Sequence, residues 1–277
     1  MVKVRPYSSR DLEDMMRIFS QYERSAFLKP LQGRSFKIPD RARRVLVAIS
    51  DGKITGFITV GETWFCKNFI FHHYALDTES LDALLEKVLE EGLCCSERYS
   101  SPMYRYYTGK GFKTARRWLF MTRPATPIES SPPPGYGFSH LMPGEVEQFV
   151  EAVNKAYGGR RLNVTCIAKW KAEDPGFDEE MIHVARHQGV IVSAAVLRRK
   201  RFNDSIIGYL GPIATVPEHR RRGLASHLTA MSAETAMKLN LKVLGLHVEE
   251  DNPAVKIYEK LGFKVSTQES VHFLKYQ

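Results

Sequence analysis

The same order of strand and helix signals occurs on both sides of a proline-rich segment, and this duplication limits the possible folds more than any other feature. The segment, RPATPIESSPPPGYG at residues 123–137, holds five prolines, two glycines and two serines. Prolines remove backbone donors and prevent a continuous helix or central strand. The sequence therefore predicts two domains of one architecture, residues 1–124 and 136–277, joined by a linker at residues 125–135.

Each half begins with a short strand and an amphipathic helix and continues with a hairpin. The opening segments are VKVRPY and SSRDLEDMMRIFSQY in the first half, and FSHL and PGEVEQFVEAVNKAY in the second. The dipeptides Asp51-Gly52 and Gln188-Gly189 are typical of tight hairpin turns between runs of apolar residues. Strands and helices that alternate in this way predict an α/β domain in each half.

Both halves end with an aromatic residue, a glycine and a phenylalanine in the same register. The two copies are Tyr107 to Phe112 and Tyr258 to Phe263, and a strand pattern follows each of them. A glycine at that position is typical of the left-handed residue that ends a helix before the chain returns to a sheet.

A basic turn follows the fourth strand of the second half. The strand SIIGYLGPIATV leads through this turn to PEHRRRGLASHLTAMSAETAMKLN, whose apolar residues recur at helical spacing. Small residues at Gly223 and Ala225 let backbone N–H groups approach an anion at the positive end of the helix. This arrangement predicts a site for a pyrophosphate.

These residues resemble the GNAT superfamily of acetyl-CoA-dependent N-acetyltransferases, whose pattern is Arg/Gln-x-x-Gly-x-Gly/Ala after strand four. Arg220, Gly223 and Ala225 match it, and LKVLGLHVEEDNPAVKIYEKLGFKV is similar to the family's fifth strand, fourth helix and Tyr-x-x-x-Gly-Phe ending. The resemblance covers residues 136–277. It implies two tandem GNAT-like domains, each a mixed, mostly antiparallel twisted sheet flanked by helices.

The first half departs from the family at the corresponding turn. After FIFHHYALD it continues with TESLDALLEKVLEEGL, which has no glycine in the turn and carries acids at Asp77, Glu79 and Asp82. Carboxylates repel a pyrophosphate, so we expect a degenerate domain without a cofactor loop. We expect acetyl-CoA to bind only to the second half.

The resemblance also implies which residues contact the cofactor. Main-chain groups of Ile213, Ala214 and Thr215 would pair with the pantetheine arm and bind the developing oxyanion. The family's asparagine would fall at Asp251, whereas the asparagine here is Asn252. The remaining candidates form the basic turn and the start of the helix: Arg220, Arg221, Arg222, Gly223, Leu224, Ala225 and Ser226.

Acetyl transfer to an amine also requires a base and an acid. The resemblance assigns the acid to Tyr258, which would protonate the leaving thiolate. Strand four has no carboxylate and carries Tyr209 near that position, so the base comes from elsewhere. The alternation of strand five directs Glu249 and His247 away from its buried face, and we take Glu249 first, directly or through water, and His247 second.

Charge and composition constrain the partners. The chain has 40 Lys and Arg against 31 Asp and Glu, a net charge of +9. Residues 1–124 hold 21 of the basic and 14 of the acidic residues, so 7 of the 9 net positive charges lie in the first half. Nucleic acid is therefore a possible partner, but no binding motif accompanies the arginines. The four cysteines include no C-x-x-C pair, so we expect reduced thiols and no metal. No apolar stretch is long enough to span a membrane, and we expect a cytoplasmic protein.

The predicted function is N-acetyl transfer from acetyl-CoA to a primary amine by direct attack in a ternary complex. Two alternatives remain open at this point. One is a non-catalytic acyl-CoA-binding regulatory module, and the other is an aminoacyl or acyl transferase that uses a larger donor such as charged tRNA. The sequence identifies neither the acceptor nor the oligomeric state.

Overall fold

The computed structural model describes residues 1–23, 28–29, 31, 36, 38–63, 66–89, 93–98, 102–202 and 205–276. Three short 3-10 helices occur at Ser9–Asp11, Glu179–Met181 and Pro217–His219. The helices are α1 (Leu12–Glu23), α2 (Thr78–Glu86), α3 (Pro102–Gly109), α4 (Val146–Tyr157), α5 (Cys166–Glu173), α6 (Leu224–Lys238) and α7 (Ala254–Lys260). The strands are β1 (Lys3–Pro6), β2 (Leu28–Lys29), β3 (Ala42–Ser50), β4 (Lys53–Gly61), β5 (Asn68–Ala75), β6 (Leu93–Arg98), β7 (Phe112–Pro124), β8 (Gly137–His140), β9 (Ile182–His187), β10 (Val190–Phe202), β11 (Ser205–Thr215), β12 (Val243–Glu249) and β13 (Lys264–Tyr276).

The described residues divide into two compact units. The first contains the chain up to Arg117, apart from the segment around β2, together with the end of the chain from Glu269. The second runs from Trp118 to Gln268 and includes β2. The division at 124/125 and 135/136 drawn from the sequence stays a prediction about folding domains.

The first unit is a mixed sheet with helices on both faces. Its strands follow the order β1, β3, β4, β5, β6 and then the end of β13, and only β5 and β6 are parallel. Met15 and Ile18 of α1 pack with Phe57 on one face of the sheet. Leu84 of α2 and Tyr107 of α3 pack with a second set of strand residues. These two apolar clusters are the core of the unit.

The second unit has the same kind of sheet with a larger core. Its strands follow the order β7, β12, β11, β10, β9, β8, and only β11 and β12 are parallel. Helix α4 packs against β10 and β11, and α6 packs against β9, β10 and β11. One apolar cluster joins these helices to the sheet. The predicted fold class, two mixed and mostly antiparallel sheets flanked by helices, is therefore confirmed.

The local signals in the sequence have the expected structural counterparts. Asp51-Gly52 and Gln188-Gly189 join β3 to β4 and β9 to β10, and all four residues have positive φ. Gly262 has φ of 84° directly after α7, as expected for a helix end. Residues 126–136 form neither helix nor strand, in agreement with their proline content.

The expectation that all four cysteines are reduced is wrong for two of them. Cys66 and Cys94 form a disulfide bond across 28 residues of sequence. Cys66 precedes β5, and β5 pairs with β6 so that Phe69 lies opposite Cys94. The parallel pairing of these two strands brings the cysteines together, and no sequence spacing reveals it.

Candidate functional site

The second unit contains a cleft at the point where its two parallel strands separate. Strands β11 and β12 pair only where Gly208–Leu210 lies opposite Leu244–Leu246. Beyond this point β11 remains paired with β10 as far as Thr215, and residues of both β11 and β12 line the cleft. The cavity has a volume of about 630 Å3. A cleft of this size at the carboxyl ends of parallel strands is a common place for small ligands.

One end of the cleft is the start of α6. Arg221 and Gly223 have φ of 59° and 81°, so the backbone makes a tight turn with left-handed residues just before the first helical residue. The first-turn N–H groups of a helix have no partner within the helix and carry the positive end of its dipole. The residues Arg220, Arg221, Gly223, Leu224, Ala225 and Ser226 all line the cavity. The structure thus brings the predicted anion-binding turn to the cleft.

The arginines of this turn differ in what they contact. Arg220 donates from Nε to the carbonyl of Thr215 at 3.1 Å and from Nη2 to the carbonyl of Ala156 at 2.7 Å. It therefore ties the turn to the end of β11 and to α4. Arg222 lies outside the lining residues and donates to the carbonyl of Glu218 at 3.4 Å.

The predicted residues of β11 form one wall of the cleft. Ile213, Ala214 and Thr215 all line it. The carbonyl of Ile213 accepts a hydrogen bond from the hydroxyl of Tyr157 at 3.3 Å. That of Ala214 accepts one from Ser193 at 2.8 Å, so side chains of the unit hold this stretch of backbone in place.

Tyr258 lies at the cleft with a side chain that is almost fully buried. The residue is 7% exposed, and burial is the main reason that its pKa is raised above the usual value of a phenol. Two further tyrosines, Tyr157 and Tyr209, line the same cavity, and burial raises the pKa of each. All three phenols are therefore protonated at neutral pH and can act as hydrogen-bond donors.

The two candidates for the base also lie on the cleft wall. Glu249 and His247 belong to β12 and line the cavity. His247 is engaged through Nδ1, which lies 3.2 Å from the hydroxyl of Tyr209. Asn252 lines the cavity as well, and its side-chain oxygen accepts from the backbone N–H of Ala254 at 2.9 Å, which caps the start of α7.

Sequence reasoning missed a group of side chains that also line the cleft. They are Tyr157, Arg161, Trp170, Arg198 and His219. Only one of them carries a signal in the sequence: Arg198 follows the apolar run VIVSAAVL of β10, where a charged residue is unusual. The others come from α4, α5, a loop and a 3-10 helix, and their approach to the cleft depends on the tertiary fold.

The corresponding helix of the first unit is closed to anions. Asp77 precedes α2, and its carboxylate accepts from the backbone N–H of Ser80 at 2.7 Å and from the hydroxyl of Ser80 at 3.1 Å. A carboxylate of the chain itself therefore occupies the position that a phosphate would need.

In the described part of the chain, no group of three or more histidine, cysteine or acidic residues is placed to hold a metal. No described helix is both long and apolar enough to cross a membrane.

The second unit, which contains the cleft, also matches a known protein family. Residues 148–263 match the acetyltransferase (GNAT) family. A solved tandem GNAT protein from the clavulanic acid biosynthesis pathway is 14% identical, with a TM-score of 0.63 over 99% of this chain and 98% of that one. A GCN5-related N-acetyltransferase from Sphaerobacter thermophilus is 15% identical, with a TM-score of 0.59 over 99% and 95% of the two chains. A search of curated proteins found no match.

The fold and the cleft thus define a tandem α/β protein whose second unit carries the cleft. Residues 148–263 of that unit carry the sequence pattern of the acetyltransferase (GNAT) family, and the chain has the fold of a solved tandem GNAT protein.

Proposed function

We propose that the second unit binds acetyl-CoA in its cleft and transfers the acetyl group to a primary amine by direct attack in a ternary complex. The observation that carries this proposal is the arrangement of one cavity, which has an anion-binding helix start at one end and the buried phenol of Tyr258 in its wall. Acetyl transfer needs both features, because the cofactor is polyanionic at one end and releases a thiolate at the other.

The turn before α6 would hold the pyrophosphate. Gly223 leaves the first-turn N–H groups of the helix open to an anion, and Arg221 adds a positive charge beside them. The exposed Arg222 contributes to the same positive field. Arg220 would shape the turn rather than contact the anion, because its guanidinium binds backbone carbonyls.

The backbone of β11 would hold the pantetheine arm and the thioester. Separation of β11 from β12 leaves one edge of the stretch Ile213–Thr215 facing the cavity. Backbone N–H groups there could bind the oxyanion that develops on the acetyl carbonyl. Asn252 would act as the cap of α7, which carries Tyr258.

Tyr258 would deliver the proton that the leaving sulfur takes up. Among the described residues, its hydroxyl has no hydrogen-bond partner within the protein, so it is available to a ligand in the cleft. The raised pKa keeps the phenol protonated until the thiolate forms beside it, and it also makes the phenol a weaker acid. Burial raises the basicity of the thiolate as well, which offsets this effect on the proton transfer.

Glu249 would take up the proton that the amine loses, directly or through a water molecule. It is the one carboxylate among the described residues that line the cavity. His247 is the second candidate, since its Nδ1 is engaged with Tyr209 and only its other nitrogen could serve. The cytoplasmic location stays a prediction from the sequence.

Radiolabelled acetyl-CoA and a panel of primary amines test the proposal. We expect turnover with at least one class of amine, and we expect Tyr258→Phe to lower kcat about 100- to 10,000-fold with little change in acetyl-CoA affinity. The matched control is Tyr107→Phe, which removes the corresponding hydroxyl of the first unit and should leave turnover unchanged. Its hydroxyl lies 2.8 Å from His73 and serves the core.

Two results would contradict the proposal. Binding of acetyl-CoA without turnover on any amine would favour a regulatory acyl-CoA-binding module. Full turnover by a folded Tyr258→Phe variant would show that the tyrosine is structural and that another group supplies the proton.

A further inference from the structure

We propose that Arg198 binds a carboxylate of the acceptor, so that the acceptor is a small amine that carries a carboxylate, such as an amino acid. The inference rests on the proposed function, because it names the class of amine that the same cleft receives. It follows from the position of Arg198, from its missing partner and from the charges around the cavity.

Arg198 lies in the wall of the cleft in contact with two aromatic rings. Its strand neighbour across β10 and β11 is Tyr209. The guanidinium carbon stands 5.4 Å from the centre of the Tyr209 ring and 5.3 Å from that of Trp170. Both aromatic residues line the cavity with Arg198. The rings stabilise the cation through its faces, and the in-plane N–H groups are left for another partner.

Among the described residues, no side chain or carbonyl supplies such a partner. The Nε atom of Arg198 is buried and makes no hydrogen bond in the described part of the protein. The next two residues of β10 are paired, Arg199 with Asp174 and Lys200 with Glu173. Arg198 thus differs from its basic neighbours, because its buried Nε–H has no acceptor among the described residues and would gain one from an anionic ligand.

The charges around the cavity favour an anionic group on the acceptor. Glu249 is the one carboxylate among the described lining residues, whereas four arginines line the cavity. Arg220 and Arg221 belong to the cofactor turn. The other two are Arg161 and Arg198. Burial lowers the pKa of Arg198, the charges of Tyr209 and Glu173 raise it, and the charge of Arg161 lowers it.

The acidic residues near Arg198 are bound to other cations, and of these Glu173 still raises the Arg198 pKa through its charge. Glu173 and Asp174 are bound to Lys200 and Arg199, and Glu179 is bound to Lys171. None of the three lines the cavity. A polyamine would therefore meet two arginines and one carboxylate, which makes a polycationic acceptor unfavourable.

A carboxylate fits the open edge of Arg198 better than other anions. The guanidinium presents its N–H groups as a planar fork that matches the two oxygens of a carboxylate. The rings of Trp170 and Tyr209 lie against the cation, so a ligand meets its N–H groups. A tetrahedral phosphate would need donors from more than one side.

Matched amines with and without the carboxylate test the inference. The full chain, saturated with coenzyme A, is titrated calorimetrically with the common amino acids and with their carboxamides. The acetyl-CoA assay is run on the same pairs, with glucosamine 6-phosphate as the phosphate arm and spermidine as the polycation. We expect at least one amino acid to bind and to be acetylated with kcat/KM about 10- to 100-fold above that of its carboxamide.

Variants then assign the preference to Arg198. Arg198→Gln should bring the ratio of amino acid to carboxamide close to one, and Arg198→Lys should recover part of it. The control is Arg201→Gln, an exposed arginine of the same strand that does not line the cavity and should keep the full ratio. Unchanged affinity for coenzyme A in all variants shows that the second unit is folded.

The outcomes separate this inference from the proposed function. Acetylation of amines with no preference for a carboxylate would overturn the inference and leave the acetyltransferase standing. Binding of amino acids without turnover would support the role of Arg198 and contradict the transfer reaction. Three results would overturn the carboxylate assignment. They are a preference for the phosphate-bearing amine, a lack of binding by any amino acid, and a loss of coenzyme A affinity in Arg198→Gln that equals its loss of amino acid affinity.

Discussion

His183 is a titratable side chain that the core of the second unit holds without a hydrogen bond. It lies on β9 opposite His140 of β8, is 1% exposed, and neither of its ring nitrogens has a partner among the described residues. Burial, with a smaller effect of the nearby His140 and Lys238, lowers the pKa of His183 to about 3. The neutral ring is therefore the folded form.

This burial predicts a loss of stability in acid. The unfolded chain protonates His183 near pH 6.5, whereas the folded chain does so only near pH 3. The contribution of His183 to the free energy of unfolding is complete above pH 6.5. It is lost as the pH falls towards 3, because the unfolded state takes up the proton first. Between pH 7 and pH 5, protonation of His183 in the unfolded state lowers the free energy of unfolding by on the order of 2 kcal/mol.

Urea unfolding at pH 7 and pH 5 measures this share. The free energy of unfolding of His183→Leu should fall less between the two values than that of the native chain, by about 2 kcal/mol. His73 also has a pKa lowered to about 4 by burial, so part of the acid sensitivity remains in the variant. An equal fall in both proteins would show that His183 is hydrated or paired in solution.

At the scale of elements, the sequence predicted the hairpins and turns whose conformation depends on one or two neighbouring residues. The Asp51-Gly52 and Gln188-Gly189 hairpins and the turn before α6 follow from residues that tolerate positive φ. Helix α5 has no counterpart in the sequence analysis, because its eight residues show little periodicity. The stack of Arg198 on Trp170 and Tyr209 joins three separate segments, and no local pattern indicates it.

The turn before α6 gives a prediction about the backbone. Gly223 has φ of 81°, and an added Cβ would meet only Pro133, at 3.4 Å, so conformation rather than space requires the glycine. We expect Gly223→Val to weaken coenzyme A binding at least about tenfold, because a β-branched residue leaves the left-handed region and moves the N–H groups. Asparagine tolerates that region, so Gly223→Asn should lose less.

Calorimetric titration with coenzyme A measures the effect. The control is Gly189→Val in the hairpin between β9 and β10, where φ is also 81° and an added Cβ meets nothing within 4 Å. This variant carries the same backbone strain away from the cleft and should bind coenzyme A normally. If Gly223→Val also bound normally, the turn would not contact the pyrophosphate.

At the scale of the whole molecule, two units of one fold differ in whether their polar groups are already satisfied. In the first unit Asp77 caps α2, and the hydroxyl of Tyr107 lies 2.8 Å from His73 inside the core. In the second unit Gly223 leaves the start of α6 open, and Tyr258 faces a cavity. The duplicated fold is therefore retained in both units, while the groups that could receive a cofactor are free in one.

This difference predicts one coenzyme A per chain. Calorimetry on the full chain should give a stoichiometry of one, and Gly223→Val should weaken all of the binding rather than half of it. Asp77→Ala should lower the free energy of unfolding by about 1 kcal/mol, because a helix cap is lost, and should leave the stoichiometry at one. The first unit would still lack the glycine turn that brings N–H groups to a phosphate. Two molecules bound per chain, or a second site that survives in Gly223→Val, would show that the first unit binds the cofactor despite its capped helix.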